Sequence, residues 1–146
     1  MLHITTTSHL HHYTCQPETK DELRKIIIQR IKEDGNDCDL NDIDVSKIND
    51  MSFLFNAAAY EIFRSFNGDI SMWNVSNVDD MSCMFYKCEN FNCDISKWNV
   101  SKVTNMTFMF EGCMSFNQNI DEWDVSNVIN MVWMFNGCQI QAKWYK

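Results

Sequence analysis

Trp98–Trp123 reads WNVSKVTNMTFMFEGCMSFNQNIDEW. The stretch before it, Trp73–Trp98, reads WNVSNVDDMSCMFYKCENFNCDISKW, and the one after opens WDVSNVINMVWMFNGC at Trp123. Tryptophan thus returns at 73, 98 and 123, a period of 25 residues. Self-similarity at a fixed period of roughly 20 to 50 residues marks a repeat array. An earlier copy begins at Ile43 as IDVSKINDMSFLF and runs 30 residues to Met72. Its five additional residues fall near AYEIFRS, where a loop or longer helix absorbs them.

The spacing inside one copy predicts its shape. Ile95, Trp98, Val100 and Val103 are spaced 3, 2 and 3. Apolar residues two apart share one face of a strand, so Trp98 and Val100 point inward together. Met106, Met109, Phe110 and Cys113 stand at offsets 0, 3, 4 and 7, the spacing of one helical face. The expected fold class is α/β: a short, leucine-rich-repeat-like solenoid of about four strand–turn–helix repeats with an N-terminal capping helix. The methionine column Met81/Met106/Met131 and the phenylalanine column Phe85/Phe110/Phe135 are expected to be buried, with Met51 and Phe55 as their first-copy equivalents.

The wording FN-x-DIS-x-W-NVS-x-V-x-x-M-x-x-MF-x-x-C resembles the bacterial surface-protein repeat of about 25 or 26 residues. That family is linked to BspA-like leucine-rich repeats and includes a domain of unknown function first noted in mycoplasma lipoproteins. The resemblance covers about residues 19–138, including TKDELRKII and DLNDIDVS. It implies a non-catalytic, protein-contacting solenoid, often on cell surfaces.

Four segments follow. Residues 1–18 form a polar tail holding every histidine: His3, His9, His11 and His12. Residues 19–36 carry the capping helix. Thr19 and Glu22 make a T-x-x-E capping box, Leu23, Ile26, Ile27, Arg30 and Ile31 form its inward stripe, and Gly35 and Asn36 end it. Residues 37–138 are the repeat solenoid. Residues 139–146, QIQAKWYK, are the C-terminal cap, with Ile140, Trp144 or Tyr145 covering the last coil.

Composition narrows the function classes. Of 146 residues, 45 % are hydrophobic and 13 % aromatic, enough for a real core. The net charge is −8, and all of the excess sits after residue 35. Direct nucleic-acid binding needs clustered Lys and Arg, so none is expected. An acidic surface suits a partner with a basic surface. No apolar run approaches the roughly 18 residues of a membrane span. Seven cysteines, an odd number without CxxC, do not form a complete disulfide framework. Cys88, Cys113 and Cys138 stand 25 apart with Ala58 in their column, which reads as a small, apolar core position. The opening MLHITTTSHLHHYTC has no secretory character, so the expected location is a reducing bacterial cytoplasm or the host cell of a phage. A mature form cut from a longer precursor would place it on a surface.

No constellation of nucleophile, base and orienting group stands out, so no enzyme, catalytic residue or cofactor is expected. Ser46, Ser76, Ser101 and Ser126 recur after valine and read as a ladder bonding between coils. His9 with His11 or His12 could grip a metal, but no cysteine or carboxylate stands at usual spacing beside them, and no metal site is expected. Asp37, Asp39 and Asn41 begin like a calcium loop, yet the sixth position is Asp42 and the twelfth Ile48, which leaves turn chemistry. The leading expectation is a protein-interaction module. Its binding columns are Met72/Lys97/Glu122 and Asn74/Asn99/Asp124, which flank the inward tryptophans. The alternative is an inhibitor from a phage or mobile element, akin to an anti-CRISPR, blocking a defence nuclease with its acidic surface. Self-association through the end coils is a further expectation.

Overall fold

The segment Met106–Cys113, helical by its spacing, is folded into three overlapping turns. The amide of Met109 donates to the Met106 carbonyl, Glu111 to Phe108 and Cys113 to Phe110 (3.2, 3.2 and 3.0 Å). Phe108 has φ +56° and Gly112 φ +76°. A right-handed helix holds every φ near −63°, so neither residue belongs to one. In the same row the amides of Met106, Phe108, Phe110 and Gly112 leave their own repeat. They donate to the carbonyls of Asn130, Val132, Met134 and Asn136 in the next repeat (2.8–3.0 Å). Offsets of 0, 3, 4 and 7 still select the inward set: Met106, Met109, Phe110 and Cys113 are all buried. A turn ladder and a helix can bury the same four side chains, and here the backbone is the ladder.

This computed structural model describes residues 11–146. His3 and His9, and with His9 the metal grip suggested for it with His11 or His12, lie outside the described residues. Among the described residues no group of three or more His, Cys, Asp or Glu could hold a metal ion.

The strand expectation fails as well. Trp98, Val100 and Val103 are buried as read. However, turns closed by Trp98 N–H to Ile95 and Val103 N–H to Val100 interrupt the segment. Neighbouring repeats share only single-residue parallel bridges, Asp50 with Asp80, Asp80 with Asn105 and Asn105 with Asn130. The expected α/β solenoid of strand–turn–helix repeats is therefore overturned, and the N-terminal cap that completed it is not shown. Among the described residues there is one α-helix, α1 (Lys20–Asp34), one short 3-10 helix (Glu61–Ser65), and no strand or sheet.

Helix α1 itself forms where the sequence places it. Thr19 Oγ1 accepts from the Glu22 amide at 3.1 Å, and the Glu22 carboxylate accepts from the amide of Glu18 rather than of Thr19. Gly35, at φ +97°, ends it. Leu23, Ile27 and Ile31 join the core. The 3-10 helix holds the residues that lengthen the first repeat and buries Phe63.

Three ladders hold the repeats together. Phe55, Phe85, Phe110 and Phe135 stack with successive ring centroids 5.3, 5.5 and 5.7 Å apart, and Trp73, Trp98 and Trp123 stack at 6.5 Å. Each indole N–H reaches one repeat back: Trp73 to the Leu40 carbonyl, Trp98 to Ile70 and Trp123 to Ile95, at 3.0–3.1 Å. Trp144 continues the series with a 3.0 Å bond to Ile120. The cysteine column does likewise, with Cys88, Cys113 and Cys138 each donating Sγ–H to the phenylalanine carbonyl one repeat back at 2.9 Å. Two column expectations need correction. Ala58 is exposed, because the extra residues of the first repeat begin there, and Met131 is only half-buried, because among the described residues no further repeat packs over it.

Candidate functional site

Aspartate and asparagine shape many of the turns that approach the surface. Asp44, Asp50, Asp69, Asn74, Asp80, Asp94, Asn99, Asn105 and Asp124 each accept, through Oδ1, the amide of the residue two positions on. This local bond is the reason such residues specify turns. It also corrects the serine reading. The Ser76 and Ser101 hydroxyls bond Asn74 and Asn99 in their own turns, not a neighbouring repeat. Asp39 serves Asn41 in the same way.

The expected binding columns can now be placed. Met72, Lys97, Glu122, Asn74, Asn99 and Asp124 are all exposed on either side of buried Trp73, Trp98 and Trp123. Asn74, Asn99 and Asp124 already hold their own turns. Hydrogen bonds from Ser126 keep the Asp124 carboxyl below its ordinary pKa. The side chains of Met72, Lys97 and Glu122 hold no such turn bond.

A second surface departs further from ordinary chain behaviour. Phe53, Cys83, Phe108 and Trp133 occupy equivalent turn positions in the four repeats, and all four have positive φ, +61°, +54°, +56° and +57°. A type II turn requires positive φ at this place and normally takes Gly or Asn there. A bulky residue with positive φ is a genuine outlier, and such strain costs of order 1–3 kcal/mol and concentrates at functional sites. The neighbouring turn offers an internal comparison. Its left-handed position is Lys87, then Gly112, then Gly137, so glycine relieves that column in two of three repeats. In the first column no repeat uses glycine.

The end members of the column are held outward, Phe108 is half-buried and Cys83 is buried. Phe53 is 46 % and Trp133 57 % exposed, whereas the stacked Trp73, Trp98 and Trp123 are no more than 5 % exposed. Phe108 and Trp133 meet edge to face, 6.4 Å between centroids. With Asn56, Tyr86 and Glu111 the column lines a groove of about 420 Å³. Cys83 forms its floor, with a thiol that burial pushes up in pKa and that the Glu111 and Asp80 carboxylates push further. It is therefore a packing thiol rather than a nucleophile. Glu111, braced by the Asn136 amide at 3.1 Å, is the one carboxylate lining the groove. An apolar trough with a single anionic group suits a side chain that is apolar along its length and cationic at its end, because aromatic faces also attract cations.

Sequence reasoning missed this groove. The available signal was a large apolar residue, Phe53, Phe108 or Trp133, sitting just outside the inward set of every such repeat. Among the described residues, no helix is long and apolar enough to cross a membrane.

A family model described as Mycoplasma protein of unknown function, DUF285, matches residues 25–144. The match fits the mycoplasma-type repeat resemblance carried by the motif. No curated protein and no solved structure matches the chain.

Proposed function

The chain belongs to the family of Mycoplasma proteins of unknown function, DUF285, and we propose that it is a non-catalytic protein-interaction module working through the aromatic groove. The observation that carries this reading is the column Phe53, Cys83, Phe108 and Trp133, strained at every repeat yet nowhere relieved by glycine. Apolar rings held outward on a rigid stack resemble the aromatic anchors that dominate protein interfaces. The partner segment that fits is apolar with a lysine or arginine to meet Glu111. A groove with one carboxylate does not favour a charge-driven mimic of nucleic acid.

Synthetic peptides alternating arginine with leucine or phenylalanine test the reading by calorimetry. The wild-type chain binds them, and Trp133→Ala lowers affinity by about 2 kcal/mol, the scale of an aromatic hot spot. Glu111→Gln weakens the arginine peptides selectively. Unchanged binding by Trp133→Ala, with loss in Lys97→Glu, would move the interaction to the Met72/Lys97/Glu122 face.

A further inference from the structure

The turn rows that join the repeats have a direction. In the first junction the amides of Met51, Phe53, Phe55 and Ala57 donate to Asp80, Ser82, Met84 and Tyr86. In the second, Met81, Cys83, Phe85 and Lys87 donate to Asn105, Thr107, Met109 and Glu111. In the third, Met106, Phe108, Phe110 and Gly112 donate to the fourth repeat. Every one of these bonds runs from the earlier repeat to the later one. The equivalent amides of the fourth repeat belong to Met131, Trp133, Phe135 and Gly137, and among the described residues none of them has an acceptor.

The two ends of this row differ. At its start two of the four acceptors are already held within the chain, the Leu54 carbonyl by Arg24 Nε–H of α1 (3.2 Å) and the Asn56 carbonyl by the Tyr60 amide (2.9 Å), and Lys20 of α1 reaches the side chains of Asp50 and Ser52 beside the other two. At its finish a concavity of about 360 Å³ lies over the row, between Trp133, Phe135, Asn136 and Gly137 on one side and Gln141 and Tyr145 on the other. The C-terminal residues close the opposite flank, where Trp144 bonds Ile120 and Tyr145 stands edge-on to Phe135. Val132 and Ile129 beside the row are 53 % and 88 % exposed.

We propose that this end is a docking edge for a segment of another polypeptide that presents backbone carbonyls at alternate residues and apolar side chains between them. The occupant follows from complementarity already realised three times inside the chain, since the edge offers the donors that each internal junction fills with alternate carbonyls. Strand addition at a sheet edge works on the same main-chain logic. A second copy does not supply the matching surface, because α1 packs along its carbonyl row, with Leu54 and Asn56 already bonded within their own chain, and its donor row would oppose donors with donors. The edge uses main-chain amides at the end of the stack, so it stands independently of the aromatic groove on its side.

Amide hydrogen exchange by NMR on the full chain tests this, with a synthetic peptide copying residues 130–137 (NMVWMFNG) as the probe and its scrambled sequence as control. In the free protein, Met106, Phe108, Phe110 and Gly112 amides are protected while Met131, Trp133, Phe135 and Gly137 exchange freely. Saturating peptide slows the latter four by about tenfold or more, as expected for amides that gain acceptors, and the scrambled control does not. The proposal is overturned if those four amides are already protected in the free monomer. It is equally overturned if their protection rises with protein concentration alone, which would make a second copy the occupant, or if the peptide shifts other resonances and leaves these four unchanged.

Discussion

The thiol of Cys113 donates to the carbonyl oxygen of Phe85, 2.9 Å away and one repeat earlier. That oxygen also accepts the Cys88 amide, so the cysteine column ties two successive repeats at one atom. Burial pushes the Cys88 and Cys113 thiols well above the ordinary range and Cys138 up to about 11. Alkylation of the native chain at pH 8, read by mass spectrometry, should therefore spare Cys88 and Cys113, because the thiolate is the reacting species. Modification of Cys113 as fast as in the unfolded chain would contradict the packing.

The left-handed column predicts an inverted ranking of glycine and alanine. In an exposed helical site, Ala is about 1 kcal/mol better than Gly. At Phe108 or Trp133, Gly should be better than Ala by about 1 kcal/mol, because alanine keeps the positive-φ cost. Denaturant melts of Phe108→Gly and Phe108→Ala decide the matter. A more stable alanine variant would restore the helix.

The stacked phenylalanines set the largest single contribution. Phe110 is fully buried against Phe85, Phe116 and Phe135, with centroids 5.5, 4.4 and 5.7 Å away. Truncating Phe110→Ala should cost about 3–5 kcal/mol through lost contacts and a residual cavity. A melting temperature within a degree or two of wild type would be incompatible with this core.

Acid should loosen the turns in a defined direction. Burial works against the charged forms of Asp50 and Asp69, but hydrogen bonds from Ser52 and Lys20, and from Ser71 and Asn41, prevail and lower both pKa values. The same balance holds for Asp44, with Ser46 and Gln16. A carboxylate with a depressed folded-state pKa contributes stability above its unfolded value of about 3.9, and that stability is lost as pH falls through the folded value. Melting should be flat with respect to these groups near neutrality and fall below about pH 4. Asp50→Asn should shrink the drop. Undiminished stability at pH 2 would show that these turns do not depend on the charge.

The C-terminal residues make a final test. We propose that residues 139–146 cap the last repeat, since Trp144 and Tyr145 lie 6.0 and 5.1 Å from the Phe135 ring and Ala142 is buried. Deleting them should expose Phe135 and the Ile120 carbonyl and produce dimers or aggregates in light scattering. A stable, monodisperse monomer would refute the cap.

What the sequence made legible were side-chain columns, because burial depends on period and the period is written in Trp73, Trp98 and Trp123. Helix α1 was legible too, since Thr19, Glu22 and Gly35 carry its end signals locally. Backbone path was not. Offsets of 0, 3, 4 and 7 fit Met106–Cys113 equally as a helix or as overlapping turns, and the difference lies in whether the Phe108 amide finds a partner four residues back or in the next repeat. Arg24 was also hidden, because its role depends on the Phe53 and Leu54 carbonyls about thirty residues away. For the site, the Asn74/Asn99/Asp124 column was read as part of the binding face, while its turn bonds were invisible. The strain at Phe53, Cys83, Phe108 and Trp133 has no signature in composition.

The uniform direction of the turn-row bonds has an electrical consequence. Peptide dipoles that point the same way along a row add rather than cancel, as they do in a helix and do not in an ordinary sheet. The row therefore has a partially negative end at the Leu54 carbonyl and a partially positive end at the Gly137 amide. Lys20 and Arg24 stand at the negative end, with Lys20 3.1 Å from Asp50 and Arg24 on the Leu54 carbonyl. The chain carries −8 overall, yet this row presents the positive ends of its peptide dipoles at the amides of Met131, Trp133, Phe135 and Gly137.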